Sequence, residues 1–93
     1  MAKIFVVSRD RDADAKLFLV DRDRDADLLF FEVERERDAK GDALWYFVDR
    51  ERDADFKVFW VTRDRDADIK VFKAARERDV KWQKSNKFQS RIG

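Results

Sequence analysis

Residues 59–72 read FWVTRDRDADIKVF: an apolar run, a charged hexamer and a second apolar run. The start of this hexamer, an arginine followed by an acid, a second arginine and an aspartate, recurs along the chain. Its six occurrences begin at Arg9, Arg22, Arg35, Arg50, Arg63 and Arg76. They lie 13 residues apart, except for one interval of 15 where Gly41-Asp42 permits a longer loop. A fixed short period is typical of a repeat fold, so we predict six structural units.

The apolar runs of the six units align in columns. One column is aromatic, and a second, two residues later, consists of valine with one alanine. The columns are Phe5, Phe18, Phe31, Tyr46, Phe59, Phe72 and Val7, Val20, Val33, Val48, Val61, Ala74. Side chains two residues apart share one face of a strand, and β-branched and aromatic residues favour strands. We expect these columns to form one buried seam. The residue before each aromatic is also apolar, whereas the residue after it varies from Val6 to Lys73, which predicts a partly buried opposite face.

The charged hexamer is predicted to be the connection between strands. Asp10, Asp23 and Asp64 are placed to cap one helical turn through their carboxylates. The alternating arginines and aspartates are expected to pair with neighbouring turns and to keep the sheet soluble. A column of small residues inside the turn is expected to point inward, against the apolar seam: Ala13, Ala26, Ala39, Ala54 and Ala67.

Two mainly β architectures fit this pattern. In the first, residues 1–80 form six 13-residue strand-turn repeats, with a two-residue insertion near 41–42, stacked as a small β-solenoid-like sheet with one-turn helical connections. In the second, the strands form an antiparallel meander or a small barrel, which the short connections favour. The fixed period and the alanine column favour the first. Residues 81–93 are predicted to be a basic C-terminal cap or tail.

A family resemblance supports the repeat interpretation. The pattern Val-Phe-x-Val…Asp-Ala-Asp-x-Lys-Val-Phe resembles uncharacterised bacterial short tandem-repeat families built on Val-Tyr-x-Val…Ser-x-Ala-Asp units. The resemblance covers residues 3 to about 80. This chain departs from that pattern where an acid replaces the serine and where arginine fills the turn. The resemblance implies a repeat fold and no particular activity.

Composition narrows the classes of function. Hydrophobic residues make up 44% of the chain, which favours a folded domain, and charged residues make up 46%, about double the usual share. The chain has no histidine and no cysteine, so the commonest general base, disulfides and the commonest zinc ligands are missing. No apolar run is long enough to span a membrane, and residues 1–4 lack the apolar core of a signal peptide. We expect a cytoplasmic, non-enzymatic protein without a cofactor.

Calcium binding is the first candidate chemistry. Alternate carboxylates in the charged turns resemble the start of a calcium loop. The second turn offers the fullest set of ligands, with a glutamate at the twelfth position of the loop: Asp23, Asp25, Asp27 and Glu34. The glycine that such loops need at the sixth position is replaced by Leu28, and arginines fill the gaps. A solvated turn is therefore the favoured interpretation.

Two other candidate surfaces concern partners. Residues 1–72 hold 15 basic and 19 acidic residues, whereas residues 73–93 hold seven and two. Cations interleaved with an aromatic residue in this basic segment could bind single-stranded nucleic acid or another anion. The candidates are Lys81, Trp82, Lys84, Lys87 and Arg91. An aromatic cluster in mid-chain is a candidate for self-association, since such residues are enriched at interfaces. Its members are Trp45, Tyr46, Phe47 and Trp60.

The function expected from the sequence is therefore that of a structural repeat protein. We expect it to form homo-oligomers or fibres through open sheet edges and the exposed aromatic faces, because unpaired edges recruit further strands. Anion binding through the basic segment and calcium binding through the turns are the alternatives.

Overall fold

The computed structural model describes residues 2–92 and contains seven strands joined by single 3-10 turns. The strands are β1 (Ala2–Val6), β2 (Ala15–Leu19), β3 (Leu28–Glu32), β4 (Leu44–Phe47), β5 (Phe56–Trp60), β6 (Ile69–Lys73) and β7 (Lys81–Trp82). The turns are Asp10–Asp12, Asp23–Asp25, Glu36–Asp38, Glu51–Asp53, Asp64–Asp66 and Glu77–Asp79. The prediction of a mainly β chain with one-turn helical connections is confirmed.

The six longer strands close into a small parallel barrel. Hydrogen bonding follows the order β4-β1-β5-β2-β6-β3, and β3 pairs with β4 to complete the circle. All six contacts within the circle are parallel, and the short β7 pairs antiparallel with β3. The fold thus combines the parallel strands of a β-solenoid-like sheet with the closure of the barrel that was the alternative prediction.

Strands that follow one another along the chain are rarely neighbours in the barrel. β5 lies between β1 and β2, and β6 lies between β2 and β3. The chain therefore winds around the barrel twice, and the second circuit fills the gaps of the first. The first connection shows how: the Val7 N–H donates to the Val58 carbonyl (2.9 Å) and the Asp14 N–H to the Lys57 carbonyl (2.8 Å), so this connection leaves and re-enters the sheet on either side of β5.

The barrel interior consists of three rings of side chains. Each strand is offset by two residues from the next, as in the pairing of Ile4 with Phe56 and of Val6 with Val58, and this offset recurs at all six contacts. Such a regular stagger tilts the strands strongly. It also means that equivalent residues of neighbouring strands do not pair with each other, as they would in a β-solenoid-like sheet. The middle ring is buried throughout: Ile4, Leu17, Phe30, Trp45, Val58 and Val71.

The aromatic column of the predicted seam lies on the outer face of the strands, whereas three residues of its second column, Val7, Val33 and Ala74, are buried. The interior is filled by the column before the aromatic residues, whereas Phe5 and its equivalents lie on the outer face and are half-buried. The crossing connections cover this outer face, and the turn Asp10–Asp12 packs against β5. Each strand therefore has an apolar inner face, and its outer face places an aromatic residue under a crossing connection. The alanine column lies in these connections, where Ala26 and Ala39 are fully buried and the others half-buried.

Two predictions about the charged turns are wrong. Three of the 3-10 turns begin at the aspartate that was expected to cap them, so the cap position falls on an arginine such as Arg9. Among residues 2–92 no side chain caps any of the six turns. The four ion pairs among residues 2–92 all involve lysine. The twelve arginines of the turns are exposed to solvent and form no ion pair with another residue in that range.

The predicted open sheet edges are also absent from the barrel. The first strand, β1, is flanked on both sides, by β4 and by β5. Within residues 2–92 only the two-residue β7 has a free side, so edge-to-edge addition of strands has no long template there. No helix in this part of the chain is long and apolar enough to cross a membrane.

Candidate functional site: the two ends of the barrel

The amino ends of the strands are held by a repeated pairing between an aspartate and a lysine. The Asp68 N–H donates to the Lys16 carbonyl (2.7 Å), and the Asp68 carboxylate accepts the Lys16 N–H (2.9 Å). Asp14 and Lys57 make the same two bonds at 2.8 and 2.9 Å. Asp27 with Lys70 and Asp55 with Lys3 repeat the arrangement. The last acid of the hexamer is thus a clamp between circuits, which sequence reasoning missed.

The repeat carries only part of the signal for this clamp. The last acid is aspartate in every unit that has one: Asp14, Asp27, Asp42, Asp55 and Asp68. The second acid of the turn is also aspartate in all six units, yet side chains such as Asp12 and Asp66 form no hydrogen bond with another described residue. What distinguishes the last acid is its place just before a strand, where its N–H joins the inter-strand hydrogen bonds.

Asp42 occupies the clamp position of the longer unit, and its carboxylate is directed to the C-terminal segment, which we define as residues 81–92. It accepts the Trp82 Nε1–H (2.9 Å), the Ile92 N–H (3.1 Å) and the Ser90 N–H. Gly41, with φ of +66°, supplies the left-handed backbone of this loop. The two-residue insertion therefore accommodates a different partner at this one position of the ring.

Apolar contacts and side-chain amides complete the docking of the C-terminal segment. Ile92 is 1% exposed, and the Phe88 ring meets Phe56 edge-on with centroids 5.7 Å apart. The Gln83 amide donates to the carbonyls of Asp23 (2.6 Å) and Ala26 (2.9 Å). Since Phe56 belongs to the interior ring at the amino ends of the strands, this segment closes that end of the barrel.

The carboxyl ends of the strands form the opposite end, which we call the mouth. The last residue of each strand contributes one side chain, two positions beyond the buried middle ring. In order around the barrel the mouth residues are Val6, Trp60, Leu19, Lys73, Glu32 and Phe47. Val6 is 42% and Leu19 53% exposed, the two large apolar residues of the described chain that stand out in solvent. Within residues 2–92 the carboxyl end has no counterpart of residues 81–92, which cover the amino end.

Polarity around the mouth is divided into two parts. Four consecutive positions are apolar, and Phe47 and Trp60 pack with their inner sides on the core. The other two positions form an ion pair, with Lys73 Nζ 3.2 Å from a Glu32 carboxylate oxygen and both side chains about half exposed. An exposed pair of this kind adds little stability. The mouth is therefore an apolar surface with one positive and one negative group at its side.

The structure separates the four residues that were predicted to mediate self-association. Trp45 is fully buried and stacks on Phe30 with ring centroids 4.1 Å apart, so it is a core residue and not a contact residue. Tyr46 is half-buried on the outer face. Phe47 and Trp60 come together in the mouth, alongside Val6 and Leu19, which the prediction omitted. The variable column of the repeat, from Val6 to Lys73, was the signal that marked this surface.

The candidate calcium ligands do not converge. The Asp27 carboxylate accepts the Lys70 N–H (3.0 Å) and lies 4.0 Å from Lys84. Asp23, Asp25 and Glu34 are exposed. Among residues 2–92 no group of three acidic side chains is placed to share a metal ion.

The candidate anion-binding residues divide between solvent and core. Lys81, Lys84, Lys87 and Arg91 are exposed. Trp82 is half-buried, packs against the core and donates its indole N–H to Asp42. The Phe88 ring is also packed, with Lys87 Nζ 5.2 Å from its centroid. The cations are accessible, while the aromatic rings that would stack on bases are engaged in closing the barrel.

Comparison with known proteins yields one family. The sequence model of a family described as the 7(1) septoil knot domain matches residues 1–83. No curated protein and no solved structure matches the chain. In this double winding, connections of one circuit pass outside strands of the other circuit. Neither circuit can therefore be unwound unless a chain end is first pulled past the other circuit. The observed topology therefore agrees with a knotted description, which is rare among folds.

Proposed function

We propose that this chain, which belongs to the 7(1) septoil knot domain family, is a non-enzymatic structural protein whose role is to associate with copies of itself through the mouth of the barrel. The observation that supports this proposal is the asymmetry between the two ends. Residues 81–92 cover the amino end, whereas Val6 and Leu19 remain in solvent at the carboxyl end. Covering exposed apolar area is worth about 25 cal/mol per Å², which favours association there.

The mouth replaces the sheet edge as the proposed contact. The barrel closes its edges, so association through backbone pairing has no long template in the described residues. Flat apolar ends rimmed by charge are typical of protein–protein contacts. Six side chains are fewer than the roughly 20–30 residues that a standard interface uses on each side. We therefore expect weak association, visible only at high protein concentration.

Sedimentation velocity across a wide concentration range tests the proposal. We expect the weight-average sedimentation coefficient to rise with concentration for the unmodified chain. Leu19→Asp places a charge in the apolar part of the mouth and should abolish the rise. Ser85→Asp adds the same charge at the covered end, where Ser85 is exposed, and should leave the rise intact. A chain that stays monomeric at every concentration would refute the proposal.

A further inference from the structure

The order of residues around the mouth restricts how two copies can meet there. Around the circle the sequence is Val6, Trp60, Leu19, Lys73, Glu32 and Phe47. Because the two-residue offset is the same at every strand contact, the six side chains stand at one level. When two copies meet face to face about a twofold axis, the order of residues around one mouth is reversed relative to the order around the other. The pairs of residues that meet are then fixed by where the axis crosses the circle.

Only one position of the axis satisfies both charges. An axis through Lys73 would set that lysine against its own copy, and an axis through Glu32 would do the same for the glutamate. An axis between Glu32 and Phe47 would bury the glutamate against an aromatic ring, and burying an unpaired charge is costly. An axis between Lys73 and Glu32 instead sets each against the opposite charge of the second copy. Like charges brought together at an interface cost several kcal/mol, so electrostatics selects this arrangement.

The same axis also pairs apolar residues with apolar residues. On the far side of the circle, this axis passes between Val6 and Trp60. It brings Leu19 opposite Phe47 of the second copy. It also brings Trp60 opposite Val6 of the second copy. The four charges gather on one side as two alternating pairs, since Lys73 and Glu32 are already 3.2 Å apart within each copy. Every position of the mouth thus meets a position of matching character.

We propose that the partner of the mouth is the mouth of a second copy, in a twofold face-to-face dimer in which Lys73 and Glu32 exchange charge pairs between the copies. This inference rests on the proposed self-association and specifies its geometry. It makes the oligomer a closed dimer, because each copy has one mouth and a twofold contact uses the same surface on both copies. Fibres are not expected from this contact alone.

Complementary charge reversal tests the geometry. Lys73→Glu gives the mouth two carboxylates, and Glu32→Lys gives it two ammonium groups. In the proposed dimer each variant opposes like charges and should associate at least about tenfold more weakly than the unmodified chain. An equimolar mixture of the two variants opposes a doubly negative mouth to a doubly positive one. We expect the mixture to form heterodimers at least about tenfold tighter than either variant alone, measured by sedimentation and by native mass spectrometry.

Controls separate this inference from the broader proposal. The doubly reversed chain, Lys73→Glu with Glu32→Lys, should dimerise like the unmodified chain. Lys81→Glu and Asp12→Lys make matching charge changes outside the mouth, at exposed positions that form no ion pair among residues 2–92, and their mixture should gain nothing. If the unmodified chain associates but the mouth variants do not form heterodimers, the face-to-face geometry is wrong while self-association stands. If neither the unmodified chain nor the mixture associates, both ideas fail.

Discussion

The two ends of the barrel are built from the same repeated positions but are finished differently. At the amino end, aspartate clamps hold the strand starts and Ile92 and Phe88 close the interior. At the carboxyl end, Leu19 and Val6 face solvent. A repeat gives every unit the same geometry, so sealing one end requires a segment outside the repeat. The difference predicts that stability is concentrated at the closed end, and it is the basis of the self-association proposed for the mouth.

The largest expected effect comes from removing the apolar anchor of the closed end. Ile92→Ala should lower the free energy of unfolding by about 2–4 kcal/mol, because truncating a buried isoleucine loses burial and leaves a cavity. Leu19→Ala at the mouth should change it by less than about 0.5 kcal/mol. Urea denaturation of both variants measures this contrast. Equal losses at both positions would mean that the two ends do not differ in stability.

Removal of the Asp42 carboxylate should have the next largest effect. Asp42→Ala deprives three donors in the C-terminal segment of their acceptor, including the Trp82 indole N–H and the Ile92 N–H. We expect a loss of about 2 kcal/mol, because part-buried donors without a partner are costly. Thermal or urea unfolding measures it. Asp12→Ala is the matched control, since Asp12 is exposed and makes no side-chain bond. A neutral Asp42→Ala would show that the segment docks through apolar contacts alone.

A single clamp between circuits should contribute less. Asp68→Ala removes the carboxylate that accepts the Lys16 N–H at 2.9 Å but keeps the backbone bond. We expect a loss of about 1 kcal/mol in the free energy of unfolding. Asp66→Ala, in the preceding exposed turn, should be nearly neutral and serves as the control. If the two variants are equally stable, the preference for aspartate at the clamp position has another cause.

The smallest effect on stability is expected at the mouth. Glu32→Gln breaks the pair with Lys73, yet both side chains are about half exposed, so the free energy of unfolding should change by less than about 0.5 kcal/mol. Glu51→Gln breaks the comparable exposed pair with Lys57 and should behave alike. Denaturation at low and high salt checks both. A loss above about 1 kcal/mol for Glu32→Gln alone would mean that the pair supports the fold.

The sequence predicted the local structure of each unit well. The period of 13, the aromatic and β-branched runs and the charged hexamer led correctly to one strand and one one-turn connection in each unit. The buried face of the strands was predicted wrongly because Ile4 and Phe5 are both apolar. The alternation of apolar and polar residues therefore did not show which face points inward. The outer side is covered by a connection, such as Asp10–Asp12 over β5, that belongs to a distant part of the chain.

The pairing of strands that are distant in the sequence could not be predicted from single units. Lys16 is clamped by Asp68, 52 residues away, because a strand of the second circuit inserts between two strands of the first. Nothing within one unit specifies this interleaving. The candidate contact surface was half predicted for the same reason: Phe47 and Trp60 were named, but their meeting with Val6 and Leu19 depends on the circular order of the strands.

Gly41 and Asp42 carry a consequence for how the chain finds its threading. Six nearly identical units could join the barrel in more than one circular order, because each order would offer nearly the same inter-strand hydrogen bonds. The unit with Gly41 is longer, and its aspartate binds the C-terminal segment instead of a lysine in a neighbouring strand. We expect this departure from uniformity to favour the observed strand order, because that order gives the Trp82 indole N–H and the Ile92 N–H their acceptor. Irregularity in one unit thereby resolves an ambiguity that regularity in the other five creates.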